Sequence, residues 1–82
     1  MRKVIVNLYY HLKEKAGTGQ LQLEVPDQTT IRGLKSILIS SHPALQPHLG
    51  NIMVLIDRKI ALDEDVIPSN AQVSFLTPIG GG

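Results

Sequence analysis

The sequence predicts an α+β domain: a mixed sheet of four to five strands with one main helix on one face. Three stretches predict it. An alternating apolar stretch opens the chain, a single long stretch at helical spacing lies in the middle, and a second alternating apolar stretch lies near the end. The implied order is β-β-α-β-β-β.

In Lys3–Tyr10, Val4, Val6 and Leu8 share one face, and Lys3, Ile5, Asn7 and Tyr9 share the other. The first face is uniformly aliphatic and is expected in the core. His11–Ala16 has helix formers and a glycine stop at Gly17, which reads as a short helical turn. Leu21, Leu23 and Val25 alternate with Gln20, Gln22 and Glu24, giving a half-buried strand stopped by Pro26-Asp27. It is expected to pair antiparallel with the first strand.

Thr29 or Thr30 can cap a helix. Ile31, Leu34, Leu38 and Ser41 then mark one face, with Ile37 beside it. Gly33 costs about 1 kcal/mol inside a helix, which suggests a close helix–sheet approach. Pro43 ends the helix, because it forces His42 out of the α region. His42–Asn51 reads as a loop, with room for a helical turn at Leu45–Leu49.

Ile52–Ile56 is a continuous apolar run. It fits a central strand covered on both faces, or one with a core face and an interface face. Asp57-Arg58-Lys59 reads as a turn, and Ile60–Leu62 as a short edge strand. After a turn at Pro68–Ala71, Gln72–Leu76 is the last strand. The first and last strands are expected side by side in the centre. The expected core is Val4, Val6, Leu8, Leu21, Leu23, Ile31, Leu34, Leu38, Val54, Ile56, Val73 and Phe75.

Composition narrows the function classes. Eighty-two residues, 43% of them hydrophobic, suffice for one modest core. They leave little room for an enclosed catalytic cavity of roughly 300 Å³ or more, which favours a binding or carrier module. The absence of cysteine excludes a disulfide scaffold, a thiol nucleophile and any cysteine-based metal site. No apolar run approaches the ~20 residues of a membrane span, and Met1-Arg2-Lys3 leads straight into a strand, so a cytoplasmic location is expected. The net charge is +1, with six basic against three acidic residues in 1–41 and two against four in 42–82. No basic stripe with interleaved aromatics supports nucleic-acid binding.

His11, His42 and His48 lack metal-site spacing and read as solvated loop residues. Asp63-Glu64-Asp65 lacks the alternation of a calcium loop, and reads as a solvated turn or a rim contact for a basic partner. Ser40-Ser41-His42 has neither a glycine elbow nor a supporting base. Ile5, Tyr9, Ile60 and Leu76 face away from the expected core. With one helix on the sheet they would form an exposed apolar partner surface, unless loops cover them.

The sequence ends Thr77-Pro78-Ile79-Gly80-Gly81-Gly82. Three specified glycines occur by chance roughly three times in ten thousand. A frayed terminus is the plain alternative. As a tail, six extended residues reach about 20 Å. Gly80 and Gly81 have no Cβ to obstruct a narrow channel, and Pro78 stiffens the exit from the sheet. Such a tail suits delivery of the Gly82 carboxylate into another protein's active site. A carboxylate needs activation before it can donate its acyl group, and adenylation by ATP supplies that.

These segments resemble the MoaD/ThiS family of sulfur carriers over the whole chain. His11–Gly17 resembles the family's short helix after the first strand, and Ile56–Ile60 its turn before a short strand. Val73–Gly82 resembles its terminus, the specific part of the likeness. Asn70-Ala71 stands where the family often has Gly-Asp, and Thr77 replaces the first of two prolines. The length resembles the MoaD branch, the small subunit of molybdopterin synthase.

The resemblance implies a β-grasp, ubiquitin-like domain over 1–76 and a tail over 77–82. It implies that an ubiquitin-activating-type adenylyltransferase adenylates Gly82, with ATP and Mg²⁺ supplied through that enzyme. Sulfur then replaces AMP to give a thiocarboxylate. It further implies a larger synthase subunit as partner, in a heterotetramer, docked on the face bearing Ile5, Tyr9, Ile60, Leu76, Pro78 and Ile79. Two alternatives share the activated glycine: a protein modifier joined through Gly82 to lysines, and a sulfur carrier for thiazole, transfer RNA or amino-acid synthesis. A non-catalytic interaction domain with an inert tail is the third possibility.

Overall fold

The computed structural model describes residues 1–50 and 52–76. The chain forms β1 (Arg2–Leu8), α1 (His11–Ala16), β2 (Gln20–Val25), α2 (Ile31–Ser41), a 3₁₀ helix (Pro43–His48), β3 (Met53–Ile56), β4 (Lys59–Ile60) and β5 (Gln72–Leu76). The sheet order is β2-β1-β5-β3-β4. β1 and β5 are parallel neighbours at the centre, and β1 pairs antiparallel with β2. β3 pairs antiparallel with both β5 and β4.

One sheet face carries the core. Val4, Val6 and Leu8 of β1, Val25 of β2, Val73 and Phe75 of β5 and Val54 of β3 are buried with Ile31, Leu34 and Leu38 of α2. Leu21, Leu23 and Ile56, expected in the core, are only partly buried against it. Leu21 and Leu23 lie on the edge strand β2, and Ile56 ends β3 beside the two-residue edge strand β4. Leu12, Leu45, Leu49, Ile67 and Ala71 complete the cluster from α1, the 3₁₀ helix and loops. No periodicity marks them, because each comes from a loop or from a helix of only six residues.

The caps explain the boundaries of α2. The Thr30 side chain accepts a hydrogen bond from the Gly33 N–H at 3.2 Å, so an orphan donor of the first turn is satisfied. His42 leaves the helix with φ −136° and ψ 77°, as the proline after it requires. The reason for Gly33 differs from expectation. An added Cβ would lie 3.3 Å from the Thr29 methyl and 3.7 Å from the Thr30 hydroxyl, so the glycine clears the cap region and not the sheet.

Of the two arrangements open to the run Ile52–Ile56, the structure shows one core face and one open face: Val54 is buried, whereas Met53 is exposed and Leu55 half-buried on the opposite face. One further expectation is corrected. The short edge strand is Lys59–Ile60 rather than Ile60–Leu62. A two-residue turn, Asp57-Arg58, sets Ile56 directly opposite Lys59 and so starts the strand earlier.

Several backbone positions take the left-handed region. Asn70 has φ 62° in the turn before β5, a conformation that asparagine tolerates. Tyr10 has φ 55° and ψ −126°, a combination that favours glycine. It sits in the turn from β1 to α1, closed by the Leu12 N–H donating to the Tyr9 carbonyl at 3.1 Å.

Candidate partner interface

Strand alternation sends every second residue to the face opposite the core. The buried side chains of α1, α2 and the 3₁₀ helix all join the core cluster, so these elements lie on the first face. The open face is assembled from Lys3, Ile5 and Asn7 of β1, Gln20, Gln22 and Glu24 of β2, Gln72, Ser74 and Leu76 of β5, Met53 and Leu55 of β3, and Ile60 of β4.

The register divides this face into two halves. Leu76 lies opposite Met53, and Leu55 lies between Ser74 and Ile60. Met53, Leu55, Ile60 and Leu76 therefore form an apolar strip at the β5-β3-β4 side. Ile60 is 71% and Met53 47% exposed, more than a core role allows. The other half is polar. The Gln20 side-chain amide donates to Asn7 Oδ1 at 3.1 Å, and the Asn7 amide donates to Gln72 Oε1 at 3.2 Å. This directional chain of amides crosses three strands.

Ile60 and Leu76 thus belong to the strip, whereas Ile5 stands between Gln22 and Gln72 in the polar half. Tyr9 is 40% exposed and lines a groove of about 350 Å³ with Asn7, Asp57, Arg58, Gln72 and Ser74. The groove lies on the sheet face and is shared by β1, β5, Tyr9 just after β1 and the Asp57-Arg58 turn, unlike an enclosed cavity. Pro78, Ile79, Gly80, Gly81 and Gly82 lie outside the described residues. Met53 and Leu55 escaped sequence reasoning, although a strand with one face in the core must turn its alternate residues outward.

The remaining polar groups do structural work. Asp63 accepts a hydrogen bond from Lys35 at 2.9 Å, and that bond and the ammonium charge hold its carboxyl below the usual carboxylate range. Glu64 lies 3.6 Å from Arg32, and Asp65 accepts from the Leu62 N–H. The acidic turn is therefore tied to α2 and to its own backbone. Ser41 bonds the Ile37 and Leu38 carbonyls and His42 Nδ1. Among the described residues no group of acidic or histidine side chains could hold a metal ion. Nor is any described helix long and apolar enough to cross a membrane.

A mixed five-stranded sheet with parallel central strands, wrapped on one face around a single main helix, defines the β-grasp, ubiquitin-like class. The ThiS family model matches residues 6–82, nearly the whole chain. The chain belongs to the ThiS family of ubiquitin-like sulfur-carrier proteins.

Solved structures agree on the fold. Small archaeal modifier protein 1 from Haloferax volcanii superposes with a TM-score of 0.89 at 20% identity, over 96% of this chain and 100% of that one. A chain from the complex of subunits 1 and 2 of molybdopterin-converting factor from Helicobacter pylori 26695 gives 0.70 at 16% identity, over 98% and 99%. Urm1 from Trypanosoma brucei gives 0.72 at 20% identity, over 99% and 96%. No curated protein matches the sequence.

Proposed function

We propose that the chain is the sulfur-donating small subunit of a molybdopterin-synthase-type complex, with the Gly82 carboxylate as its reactive group. The carrying observation is the match of the ThiS family through residue 82, the terminal glycine. In an ubiquitin-activating-type adenylyltransferase, which binds the ATP and Mg²⁺, a Gly82 carboxylate oxygen attacks the α-phosphorus of ATP, releasing pyrophosphate and forming the acyl adenylate. A sulfide-level donor then attacks the acyl carbon, AMP leaves, and a thiocarboxylate remains. The chain itself supplies reach and docking. Gly80 and Gly81 thread the tail, while Tyr9, Ile60, Leu76, Pro78 and Ile79 contact the partner, with Ile5 at the polar margin.

The larger partner subunit is supported by the Helicobacter pylori structure, a complex of two subunits of molybdopterin-converting factor. The test is reconstitution. The thiocarboxylated chain, mixed with a cognate larger subunit and the sulfur-free pterin, should yield molybdopterin with loss of one sulfur per chain. Absence of product with a verified larger subunit would move the sulfur to another acceptor.

A second reading is favoured by the likeness to a small archaeal modifier protein. In it the activated Gly82 forms isopeptide bonds with lysines. Isopeptide-linked Gly82 on other proteins, without molybdopterin synthesis, would select that reading.

A further inference from the structure

The groove beside the apolar strip contains an arginine where the backbone favours glycine. Asp57 and Arg58 are the two central residues of the β3–β4 hairpin, with φ 47° and φ 77°. Positive φ at both positions is the type I′ pattern, which prefers Asn or Asp followed by Gly. Asp57 fits the first position. Arg58 stands in the glycine position, fully side-chained and exposed, and makes no ion pair among the described residues. Its side chain therefore brings the folded domain little in return for the backbone strain. Strain kept in an exposed side chain points to a use outside the fold.

The groove around Arg58 supplies a second, separate indication of that use. Gln72 Oε1 is occupied by the Asn7 amide, which leaves the Gln72 NH₂ group as the uncommitted end of the amide chain. Tyr9 and Ser74 line the same groove. The opposing charge is Asp57, whose Oδ1 already accepts from the Gln72 backbone N–H at 3.0 Å. Arg58 and the Gln72 amide thus offer donors to an acceptor that the described chain does not provide. A guanidinium with an amide beside it suits the two oxygens of a carboxylate. A single cation next to Asp57 is poorly suited to a polyanion such as nucleic acid.

We propose that this groove receives a carboxylate side chain, Asp or Glu, of the enzyme that takes the C-terminal glycine. The inference rests on the carrier reading above. The groove shares the open face with the strip ending at Leu76, the last residue before the tail. Gln72 and the Asp57-Arg58 turn stand at the opposite end of β5 from Leu76, four residues or roughly 13 Å along the strand. A partner of standard footprint, about 800 Å² on this face, spans both ends. The strip supplies apolar contact common to many partners, and Arg58 selects among them.

The test compares wild type with Arg58→Gly and Arg58→Lys, using the cognate adenylating enzyme, ATP and Mg²⁺. Calorimetry reads binding and adenylate formation reads turnover. Arg58→Gly should melt a few degrees higher, since it relieves the turn. It should bind about tenfold more weakly, the loss of one charge-assisted contact. KM should rise with kcat nearly unchanged, and the salt dependence of wild-type binding should flatten. Arg58→Lys should recover part of the affinity, because charge is kept and the two-pronged geometry is lost. Binding of Arg58→Gly equal to wild type at all salt concentrations would overturn the carboxylate site. An enzyme that binds wild type but never adenylates it would instead contradict the carrier reading.

Discussion

At the scale of single residues, positive φ at an exposed non-glycine position marks backbone strain that burial does not repay. Tyr10 is 64% exposed and holds φ 55°, ψ −126°, so its ring brings little burial to offset the backbone cost. Such conformations cost of order 1–3 kcal/mol, part of which glycine returns through its freer unfolded chain. Tyr10→Gly should therefore stabilise the domain by about 1 kcal/mol, a rise of roughly 4–8 °C in melting temperature. A thermal melt checks this, and a fall would show that the ring is held by contacts in the fold. Neither Tyr10 nor Arg58 stands out in the sequence. Tyrosine after a strand and arginine in a polar turn are ordinary, and only the backbone angles mark them.

Asp63 shows the ordinary case of a surface ion pair. Lys35 lowers its carboxyl pKa in the folded state, first through the hydrogen bond and then through charge. The folded value lies below the unfolded one, so the pair stabilises at neutral pH, and that contribution fades as pH falls through the folded value. The Asp63 side chain is 45% exposed, which screens the interaction to at most about 1 kcal/mol. Asp63→Asn should lower stability by less than that at pH 7. Melts of the two proteins should converge in acid, below the ordinary aspartate pKa of about 3.9.

At the scale of elements, the sequence was most legible where one face is buried and one is open. Val4, Val6 and Leu8 mark β1, and Val73 and Phe75 mark β5, because a period of two is unmistakable next to a helix-covered core. It was least legible where an element is too short to show a period. Leu12, Leu45 and Ile67 are fully or almost fully buried, yet they come from six-residue helices and a loop. β4 is two residues long, and its start is fixed by turn geometry that composition alone does not display. The candidate site divides in the same way. Ile60 and Leu76 were readable as outward-facing, whereas Met53 and Leu55 were hidden inside a run that looked apolar throughout.

The two sheet faces should respond oppositely to mutation. Phe75 is fully buried, so Phe75→Ala should cost about 3–5 kcal/mol. Ile60→Asp, at a 71% exposed position, should change stability by no more than about 0.5 kcal/mol and still weaken partner binding. Denaturant melts paired with a binding titration separate the two. A large stability loss in Ile60→Asp would place that side chain in the core.

At the scale of the whole molecule, the proposed function assigns folding and delivery to different parts of the chain. Among the described residues the buried cluster extends from Val4 to Phe75. Deleting Gly81-Gly82 should leave the melting temperature nearly unchanged and abolish sulfur loading. In the function proposed above, the domain presents a docking face, and the partner brings the nucleotide, the metal ion and the sulfur source. On that reading, what docks on the open face selects among sulfur and conjugation pathways that share one activated glycine. The most direct measurement is intact mass spectrometry of the full chain after incubation with a cognate adenylating enzyme, ATP, Mg²⁺ and a sulfur donor. The account predicts a mass increase equal to replacement of one oxygen by sulfur, located at Gly82 and absent from the truncated chain. An unchanged mass, with an enzyme verified on its own substrate, would contradict it.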